Sequence, residues 1–213
     1  MVTFAAVSLV RPGIPAYPGL VTTWYENPAA NPCDLLREWL AVPGLADPGA
    51  LALATAGTDA RPSSRIVQLL RVTDSGVVFA SFSDSPKGRD IAATGWASGV
   101  LYWRENRRQV TLAGAAAIMP AAESDALWAA RPDHVLPMSV ATRQSAPLTD
   151  ADSLRARVRA LADGERPARP ATWVGYHITL STIEFWEDQP DRFYRRLRYD
   201  RGADGWTTTR LQP

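Results

Sequence analysis

Residues 51–81 read LALATAGTDARPSSRIVQLLRVTDSGVVFAS, a stretch in which short apolar runs alternate with polar turn residues. Three of its runs have the length and the β-favouring side chains of strands, and they span residues 51–56, 64–72 and 77–81. The turns between them pass through Gly57 and Asp59 and through residues 73–76, which are types that favour tight chain reversal. The stretch therefore predicts a meander of three antiparallel strands.

The rest of the chain continues this pattern, with helices between further strands. Ser85 and Pro86 are a favoured N-cap and first residue for a helix that runs to about residue 94. Further strands are expected at residues 99–103, 109–119, 173–180, 183–186, 193–199 and 206–211. Further helices are expected from Asn31 to Pro43 and at residues 123–130, 134–141 and 150–161. We predict a mainly β, α+β fold: a mostly antiparallel barrel with helices on its outside and ends.

Residues 1–30 differ from the rest of the chain. They contain four prolines and two glycines and show no clear periodicity. This composition predicts an extended N-terminal arm, a kind of segment that often crosses a partner subunit. Residues 31–213 are then expected to form one domain, since 46% hydrophobic residues in a chain of 213 suffice for a substantial core.

Charge and cysteine content exclude several classes of protein. The 23 basic and 22 acidic residues leave a net charge of +1, so no broad basic surface is available to gather nucleic acid or an anionic membrane. Cys33 is the only cysteine, which excludes an intrachain disulfide, and with two histidines it cannot build a zinc site without carboxylates. The N-terminal stretch has no charged leader, and no run reaches the roughly 18 apolar residues of a membrane helix. We therefore expect a cytoplasmic protein.

The segment SFSDSPKGR at residues 81–89 is the first candidate site. It ends a strand and enters a helix, so hydroxyl groups, free backbone N–H groups and two cations meet where the helix dipole favours an anion. The single lysine of the chain, Lys87, lies here. The segment is typical of a phosphate-binding turn. The alternative is that Ser85 is a plain N-cap and Lys87 a solvated side chain.

Several other polar residues interrupt apolar patterns. Arg65 and Gln68 lie in an otherwise apolar strand, where they need an anion or another partner if they face inward, or water if the strand is an edge. Gln109 begins a later strand and could offer a donor and an acceptor to a heterocycle. Arg131 and Arg143 each follow a predicted helix, where a cation also complements the helix dipole.

The last candidate lies near the C-terminus. Arg192, Tyr194, Arg196 and Arg198 alternate in sequence, so a strand would place all four on one face. Guanidinium groups on one face repel each other unless something neutralises them. This favours a multiply anionic ligand over a fully exposed face.

No pattern indicates covalent catalysis. Cys33 lies in an ordinary amphipathic helix, as expected of a buried structural cysteine. His134 and His177 are far apart in sequence and fall on different elements, which is typical of packing or surface histidines rather than a dyad. If the protein is an enzyme, its chemistry is therefore expected to belong to a cofactor.

Taken together, these motifs resemble a known family. From about residue 31 to its end, the chain is similar in order and spacing to the pyridoxamine 5′-phosphate oxidase superfamily. The matching segments are RIV at 65–67, GVVF at 76–79, SPKG at 85–88, Gln109, RQS at 143–145, IEFW at 183–186, RFYRR at 192–196 and RLQP at 210–213. The resemblance implies an antiparallel split β-barrel that binds flavin mononucleotide (FMN) and works as a homodimer.

The resemblance also implies which residues hold FMN. The phosphate contacts would be Arg65, Lys87 and Ser145, with Ser85 in the same turn. The ribityl chain and the ring would contact Ile66, Val67, Gln68, Ala80, Ser81, Gln109 and Gln144. Trp186 and Arg196 would close the site from the second subunit. Pro86 replaces a basic residue that is common in the family, which lowers the positive charge available to the phosphate.

Four segments resemble one branch of this superfamily, the phenazine-biosynthetic dihydrophenazinedicarboxylate synthases. They are WASGVLYWRE at 96–105, RP at 131–132, PMS at 137–139 and LRYDR at 197–201. The branch implies an FMN-dependent oxidase that acts on reduced (hexahydro- or tetrahydro-) phenazine carboxylates. Oxygen would take the electrons and leave as hydrogen peroxide.

The same resemblance implies a set of substrate contacts: Leu70, Leu127, Arg131, Val135, Arg192 and Tyr194. The three apolar members replace a lysine, a tyrosine and a serine that vitamin B6 oxidases use for the substrate phosphate. The two arginines beside apolar surface suit a flat aromatic carboxylate instead. Tyr194 stands where both branches commonly have histidine.

Two other functions remain open from the sequence. One is a true pyridoxine/pyridoxamine 5′-phosphate oxidase, against which the apolar residues at 70, 127 and 135 argue. The other is a non-catalytic flavin- or haem-binding split barrel, for which His134 and His177 are the available haem ligands.

Overall fold

The computed structural model describes residues 23–213, and its strands form one antiparallel sheet that closes on itself. The strands are β1 (Ala50–Ala56), β2 (Pro62–Val72), β3 (Gly76–Phe82), β4 (Trp96–Trp103), β5 (Arg108–Ile118), β6 (Trp173–Glu187), β7 (Arg195–Gly202) and β8 (Gly205–Arg210). They neighbour one another in the order β3-β2-β1-β4-β5-β6-β7-β8, and β3 also pairs with β6. Six strands therefore close into a barrel, and β7 and β8 extend the sheet beyond it. The predicted antiparallel barrel is confirmed.

Helices connect the strands and cover the barrel. They are α1 (Thr23–Glu26), α2 (Pro32–Leu40), α3 (Pro86–Thr94), α4 (Ala121–Ala129), α5 (Leu136–Ala141) and α6 (Ala151–Ala162), with a 3₁₀ turn at Asp133–Val135. Asn31 caps α2 by accepting a hydrogen bond from the Cys33 amide at 3.0 Å, and the apolar face of α2 is buried against the barrel. Across residues 23–213, no helix is both long and apolar enough to cross a membrane.

Part of the predicted extended arm is helical. Residues 1–22 of the arm lie outside the described residues, whereas the four residues from Thr23 form α1. Trp24 is only 7% exposed, and its ring packs edge-on against Trp39 with 5.1 Å between ring centroids. Arg210 donates a hydrogen bond to the Tyr25 carbonyl at 3.0 Å. Burial of Trp24 thus attaches the segment before residue 31 to the barrel.

The alternation in β1 determines which side chains enter the core. Leu51 and Leu53 are fully buried, and Thr55 is 4% exposed on the same inward face. The alanines between them face outward, since side chains along a strand alternate between its two faces. The same alternation in β5 and β6 sends Val110 and Phe185 into one continuous apolar core.

Two strands predicted at residues 173–180 and 183–186 are one strand, β6. Its register with β5 shifts between the pairs Ala113–Thr182 and Gly114–Leu180, so Ser181 is an extra residue on β6. Such a bulge bends a strand without ending it, although two polar residues in sequence resemble a turn. The first half of β6 pairs with β3 and the second half with β7, while β5 pairs with both halves.

The expected single face of Arg192, Tyr194, Arg196 and Arg198 is wrong, because β7 begins only at residue 195. The first two residues belong to the preceding turn, and only the last two share a strand face. Arg196 donates to Glu184 at 2.7 Å and Arg198 donates to Asp200 at 2.8 Å. Carboxylates of the chain itself therefore neutralise this face.

The close contact between β5 and β6 at Gly114, next to the bulge, can be tested by substitution. A Cβ at Gly114 would collide with the backbone carbonyl of Thr179, which cannot move without breaking the ladder. We expect Gly114→Ala to lower the free energy of unfolding by about 1–3 kcal/mol, the usual effect of overpacking. Urea denaturation at fixed protein concentration measures it. Gly164→Ala is the control, since a Cβ there meets only ordinary contacts. Equal stability of the two variants would contradict the close approach of β5 and β6 at Gly114.

Candidate functional site

A cleft of about 360 Å³ opens where β2 and β3 separate. The two strands pair only from Val72–Val77 to Leu69–Phe79, and a bulge between Leu69 and Arg71 interrupts their register. The residues that line the cleft are Arg65, Ile66, Val67, Gln68, Ala80, Ser81, Pro86, Lys87, Gln144 and Ser145. All of them except Pro86 are residues that the family resemblance implies for FMN, so the structure brings this part of the set together.

The separation of the strands leaves backbone groups at the cleft. Within the described chain, β2 pairs with β1 but no longer with β3 before Leu69. Ala80 and Ser81 of β3 keep their pairing with β6 on the opposite edge. Backbone N–H and C=O groups need partners when they leave a sheet, and a ligand lying between the strands can supply them.

The start of α3 forms one end of the cleft. Ser85 is the N-cap: its hydroxyl accepts from the Gly88 amide at 3.3 Å and donates to the Phe82 carbonyl at 2.7 Å. Gly88 packs so tightly that a Cβ would collide with the carbonyl of Phe82. Lys87 points inward and is only 5% exposed. Ser85 is therefore an N-cap, as the simpler interpretation held, but Lys87 is not solvated.

Lys87 is a buried cation held by neutral groups. Its Nζ donates to Gln144 Oε1 at 2.7 Å, to Ser81 Oγ at 3.0 Å and to Ser85 Oγ at 3.2 Å. Within residues 23–213 no carboxylate forms an ion pair with it. Burial, and then the charge of nearby Arg65, lower the pKa of Lys87 to about 8. An anion in the cleft would relieve both effects.

Arg65 is the second cation of the cleft. It donates to Thr55 Oγ1 at 2.6 Å and to Ser63 Oγ at 2.5 Å, and Thr55 in turn donates to Asp90 at 2.7 Å. Burial lowers the pKa of Arg65, and the charge of Asp90 opposes this shift. β2 has no β3 partner at Arg65, as the edge-strand alternative requires, but the guanidinium does not simply face water, because Thr55 and Ser63 hold it.

Sequence reasoning missed Thr55 and Asp90, which orient Arg65. A signal for Thr55 was present: it is the one polar residue at an inward position of ALALATA, and a buried hydroxyl requires partners. Asp90 had no such signal. It lies in the middle of α3, where an acidic residue is ordinary.

Gln144 and Ser145 enter the cleft from the loop after α5. Gln144 Oε1 accepts from Lys87 and, at 3.3 Å, from the hydroxyl of Ser81. Ser145 has a φ of 67°, a left-handed conformation that costs energy for a residue other than glycine. Such strain concentrates at functional sites, where the surrounding structure holds it in place.

Three of the implied FMN contacts lie elsewhere on the barrel. Gln109 pairs across strands with Trp186, which pairs with Arg196, so the three form one row over β5, β6 and β7. Arg196 also bonds Glu184, which raises the pKa of the arginine. None of the three lines the cleft of its own chain.

Arg131 is the best-defined of the expected substrate contacts. Its guanidinium donates to Ser139 Oγ at 2.9 Å and lies 5.2 Å from the Trp128 ring centroid and 5.1 Å from that of Trp173. Burial lowers its pKa, and among the residues described here no carboxylate pairs with it. Arg131 is therefore a fixed cation available to an external anion.

The other expected substrate contacts fall into two groups. Leu127 and Val135 pack beside Arg131 on the small cluster of Phe82, Trp128, Leu136 and Trp173. Leu70 is 46% exposed on the outer face of β2. Arg192, with a φ of 63°, and Tyr194 lie in the turn before β7, where the Tyr194 ring contacts Trp186 at 5.1 Å. Neither Arg192 nor Tyr194 lines the cleft of its own chain.

The remaining candidates have structural roles. Cys33 is fully buried, and burial raises the pKa of its thiol to about 11, as expected of a structural cysteine. Both ring nitrogens of His177 are engaged, at 2.9 Å by Thr73 and at 3.1 Å by Thr179. Residues 23–213 contain no cluster of His, Cys, Asp and Glu able to hold a metal ion.

Fold and cleft together define the class: a split-barrel protein with one buried lysine and one partly buried arginine in its cleft. Residues 38–163 match the family described as "Pyridoxamine 5′-phosphate oxidase". Residues 173–213 match the "Pyridoxine 5′-phosphate oxidase C-terminal dimerisation region". The chain belongs to the pyridoxamine 5′-phosphate oxidase family.

Similar proteins fall on two branches of this family. Dihydrophenazinedicarboxylate synthase of Pseudomonas chlororaphis is 43% identical over 193 residues, which cover 89% of this chain and 87% of that protein. Pyridoxine/pyridoxamine 5′-phosphate oxidase of Burkholderia multivorans is 40% identical over 174 residues, covering 79% and 81%. The crystal structure of PhzG from Burkholderia lata in complex with tetrahydrophenazine-1-carboxylic acid superposes with a TM-score of 0.89 at 42% identity, covering 91% of this chain and 98% of that one.

The lowered pKa of Lys87 predicts how anion binding depends on pH. Lys87 is charged below about pH 8 and loses its proton above it, so affinity for an anion falls as pH rises. Between pH 8 and pH 9, where inorganic phosphate is already a dianion, we expect its dissociation constant to rise about fivefold. Calorimetric titration measures this. A Lys87→Arg variant stays charged, so its affinity for phosphate should not change between pH 8 and pH 9. An equal loss of affinity in that variant would contradict the assignment of the pH dependence to Lys87.

Proposed function

We propose that this protein binds FMN in the cleft between β2 and β3 and oxidises a reduced phenazine carboxylate. The observation that carries the proposal is the pair of cations in the cleft, the buried Lys87 and the partly buried Arg65, neither of which forms an ion pair with a carboxylate within residues 23–213. The 0.89 TM-score with PhzG, whose crystal structure holds tetrahydrophenazine-1-carboxylic acid, supports the substrate class.

The residues present fit the phosphate of FMN. A phosphate dianion would satisfy Lys87 and Arg65, and it would lie near the N-terminal end of α3, where the helix dipole favours negative charge. Gln144 and Ser145 also line the cleft. Pro86 contributes no charge, so these two cations provide the compensation within the cleft lining.

The rest of the cleft fits the remainder of the cofactor. The open edges at residues 66–68 and 80–81 would hold the ribityl chain and one side of the ring by backbone contacts. When bound, FMN supplies the ability to accept a hydride or two single electrons, which no side chain here provides. The protein binds the cofactor, orients the substrate and excludes competing reactants.

We infer that FMN lies at a homodimer interface. The outer face of β2 and β4 exposes large apolar side chains: Ile66 at 66%, Leu70 at 46%, Trp96 at 47% and Tyr102 at 56%. Several large apolar side chains exposed on one face are typical of an association site, and residues 173–213 match a dimerisation region. A second chain is the proposed source of the Gln109, Trp186 and Arg196 contacts.

The substrate side fits an aromatic acid better than a phosphate ester. Arg131 is the fixed cation, and Leu127 and Val135 beside it offer apolar contact where a phosphate would need hydroxyl donors. Arg192 is the proposed second anchor, which suits a ring system with more than one carboxylate. Leu70 adds apolar surface at the cleft edge.

The proposed oxidation requires little proton handling by the protein. The reduced ring loses two electrons and two protons in one turnover, and oxygen takes both and leaves as hydrogen peroxide. Arg131 and Arg192 hold the carboxylates so that the ring lies against the cofactor. The Tyr194 ring centroid lies 5.1 Å from that of Trp186, and the role proposed for Tyr194 is to cover the face of the substrate ring rather than to take a proton.

The function is tested by anaerobic reduction of the FMN-loaded protein. We expect the yellow absorbance to bleach on addition of a reduced phenazine carboxylate and to return with oxygen. Pyridoxine 5′-phosphate should bleach it at least about 100-fold more slowly, because a phosphate meets apolar residues. Faster bleaching by pyridoxine 5′-phosphate would establish the B6 oxidase, and protein that binds no flavin would overturn the proposal altogether.

The role of Arg131 predicts a split in the kinetic constants. Replacing Arg131 with methionine removes charge-assisted hydrogen bonds to a carboxylate, so we expect KM to rise about 10- to 100-fold with a smaller change in kcat. Steady-state oxygen consumption measures both constants. Arg157→Met on the exposed side of α6 is the matched control and should leave both unchanged. An Arg131→Met variant with normal KM would show that the carboxylate binds elsewhere.

A further inference from the structure

The loop that carries Gln144 and Ser145 has few attachments to the barrel. Residues 143–150 are exposed, and they lie between the short helix α5 and α6. One attachment is Gln144, which Lys87 and Ser81 contact. The other is an ion pair in which Arg143 Nε donates to Asp84 Oδ2 at 3.1 Å. Neither partner of this ion pair lines the cleft.

Asp84 is close in sequence to a cation that it does not bind. It precedes Ser85 in the turn into α3, three residues before Lys87, yet its carboxylate pairs with Arg143 instead. Its Oδ1 is buried and has no hydrogen-bond partner in the part of the chain described. Arg89 bonds the Asp84 backbone carbonyl and fixes the turn. A carboxylate bonded to Lys87 would neutralise the cation and compete with any anionic ligand.

Ser145 requires something to hold its backbone. Its φ of 67° is disfavoured for a residue with a side chain, typically by about 1 kcal/mol or more. A loop without restraint would relax to a common conformation, and the hydroxyl of Ser145 would leave the cleft. The Arg143–Asp84 pair restrains the residue two positions earlier, next to Gln144.

We infer that Asp84 and Arg143 are positioning residues of the cofactor site. The pair fixes the loop so that Gln144 and Ser145 stay in the cleft, and it engages the carboxylate of Asp84 away from Lys87. The ligand in this inference, FMN, rests on the proposed function. The ordering of the loop does not, because the ion pair is formed by the protein alone.

The test begins with the protein without cofactor. Hydrogen–deuterium exchange is measured over residues 142–149 in wild type, Asp84→Asn, Arg143→Gln and the double variant. We expect each single variant to exchange about threefold to tenfold faster in this loop, with the double variant no faster than the quicker single one, because both remove the same contact. Arg143 is largely exposed, so its variant should fold even if the Asp84 variant does not. Unchanged exchange, or additive effects, would overturn the inference.

The second measurement is FMN affinity by flavin fluorescence. We expect the dissociation constant to rise about threefold to tenfold in Arg143→Gln, because ordering of the loop must then occur on binding. Arg143→Lys keeps the charge and should restore most of both readouts. Arg155→Gln removes a similar exposed pair with Asp152 on α6 and is the matched control. Faster loop exchange with unchanged FMN affinity would refute the positioning role, whereas absence of FMN binding to wild type would refute the proposed function instead.

Discussion

Burial of Lys87 with no carboxylate partner among residues 23–213 is the constraint around which the site is arranged. A charged ammonium loses hydration when buried, so it must be surrounded by dipoles or by an anion. The structure supplies Ser81 and Ser85 from one direction and Gln144 from the other. Tight packing at Gly88 keeps the first turn of α3 close to β3, so the lysine cannot swing into water. The free protein therefore holds a cation site that an anionic ligand completes.

The split between β2 and β3 depends on a small irregularity. The bulge beside Leu69 ends the pairing of two strands that would otherwise run on together. A continuous ladder would satisfy the backbone groups at residues 66–68 and leave no cleft. Arg65 points toward the opening because Thr55, inward on the neighbouring strand, receives its guanidinium. Barrel closure elsewhere makes this single opening compatible with a stable core.

The barrel could be predicted from the sequence because its strands alternate clearly, as in ALALATA. The bulge at Ser181 could not, since a polar pair inside a strand looks like a turn. The alternation of arginines at 192–198 was misleading because nothing in sequence marks the start of β7. The cleft lining followed from the family resemblance rather than from spacing. The positions of Gln109, Trp186 and Arg196 relative to the cleft could not be predicted from their spacing. The spacing of residues in a sequence does not say which subunit of a dimer provides a contact.

The position of β6 limits where the chain can be divided into two parts. The two family matches meet across residues 164–172, which suggests a modular boundary. Yet β6, on the C-terminal side, fills the gap between β3 and β5 and closes the barrel. A fragment ending before Trp173 would expose two long strand edges, the form of surface that drives aggregation. Evolution can therefore vary the loops on either side of the connector, but fission or exchange of the two halves is disfavoured unless the new half brings an equivalent strand.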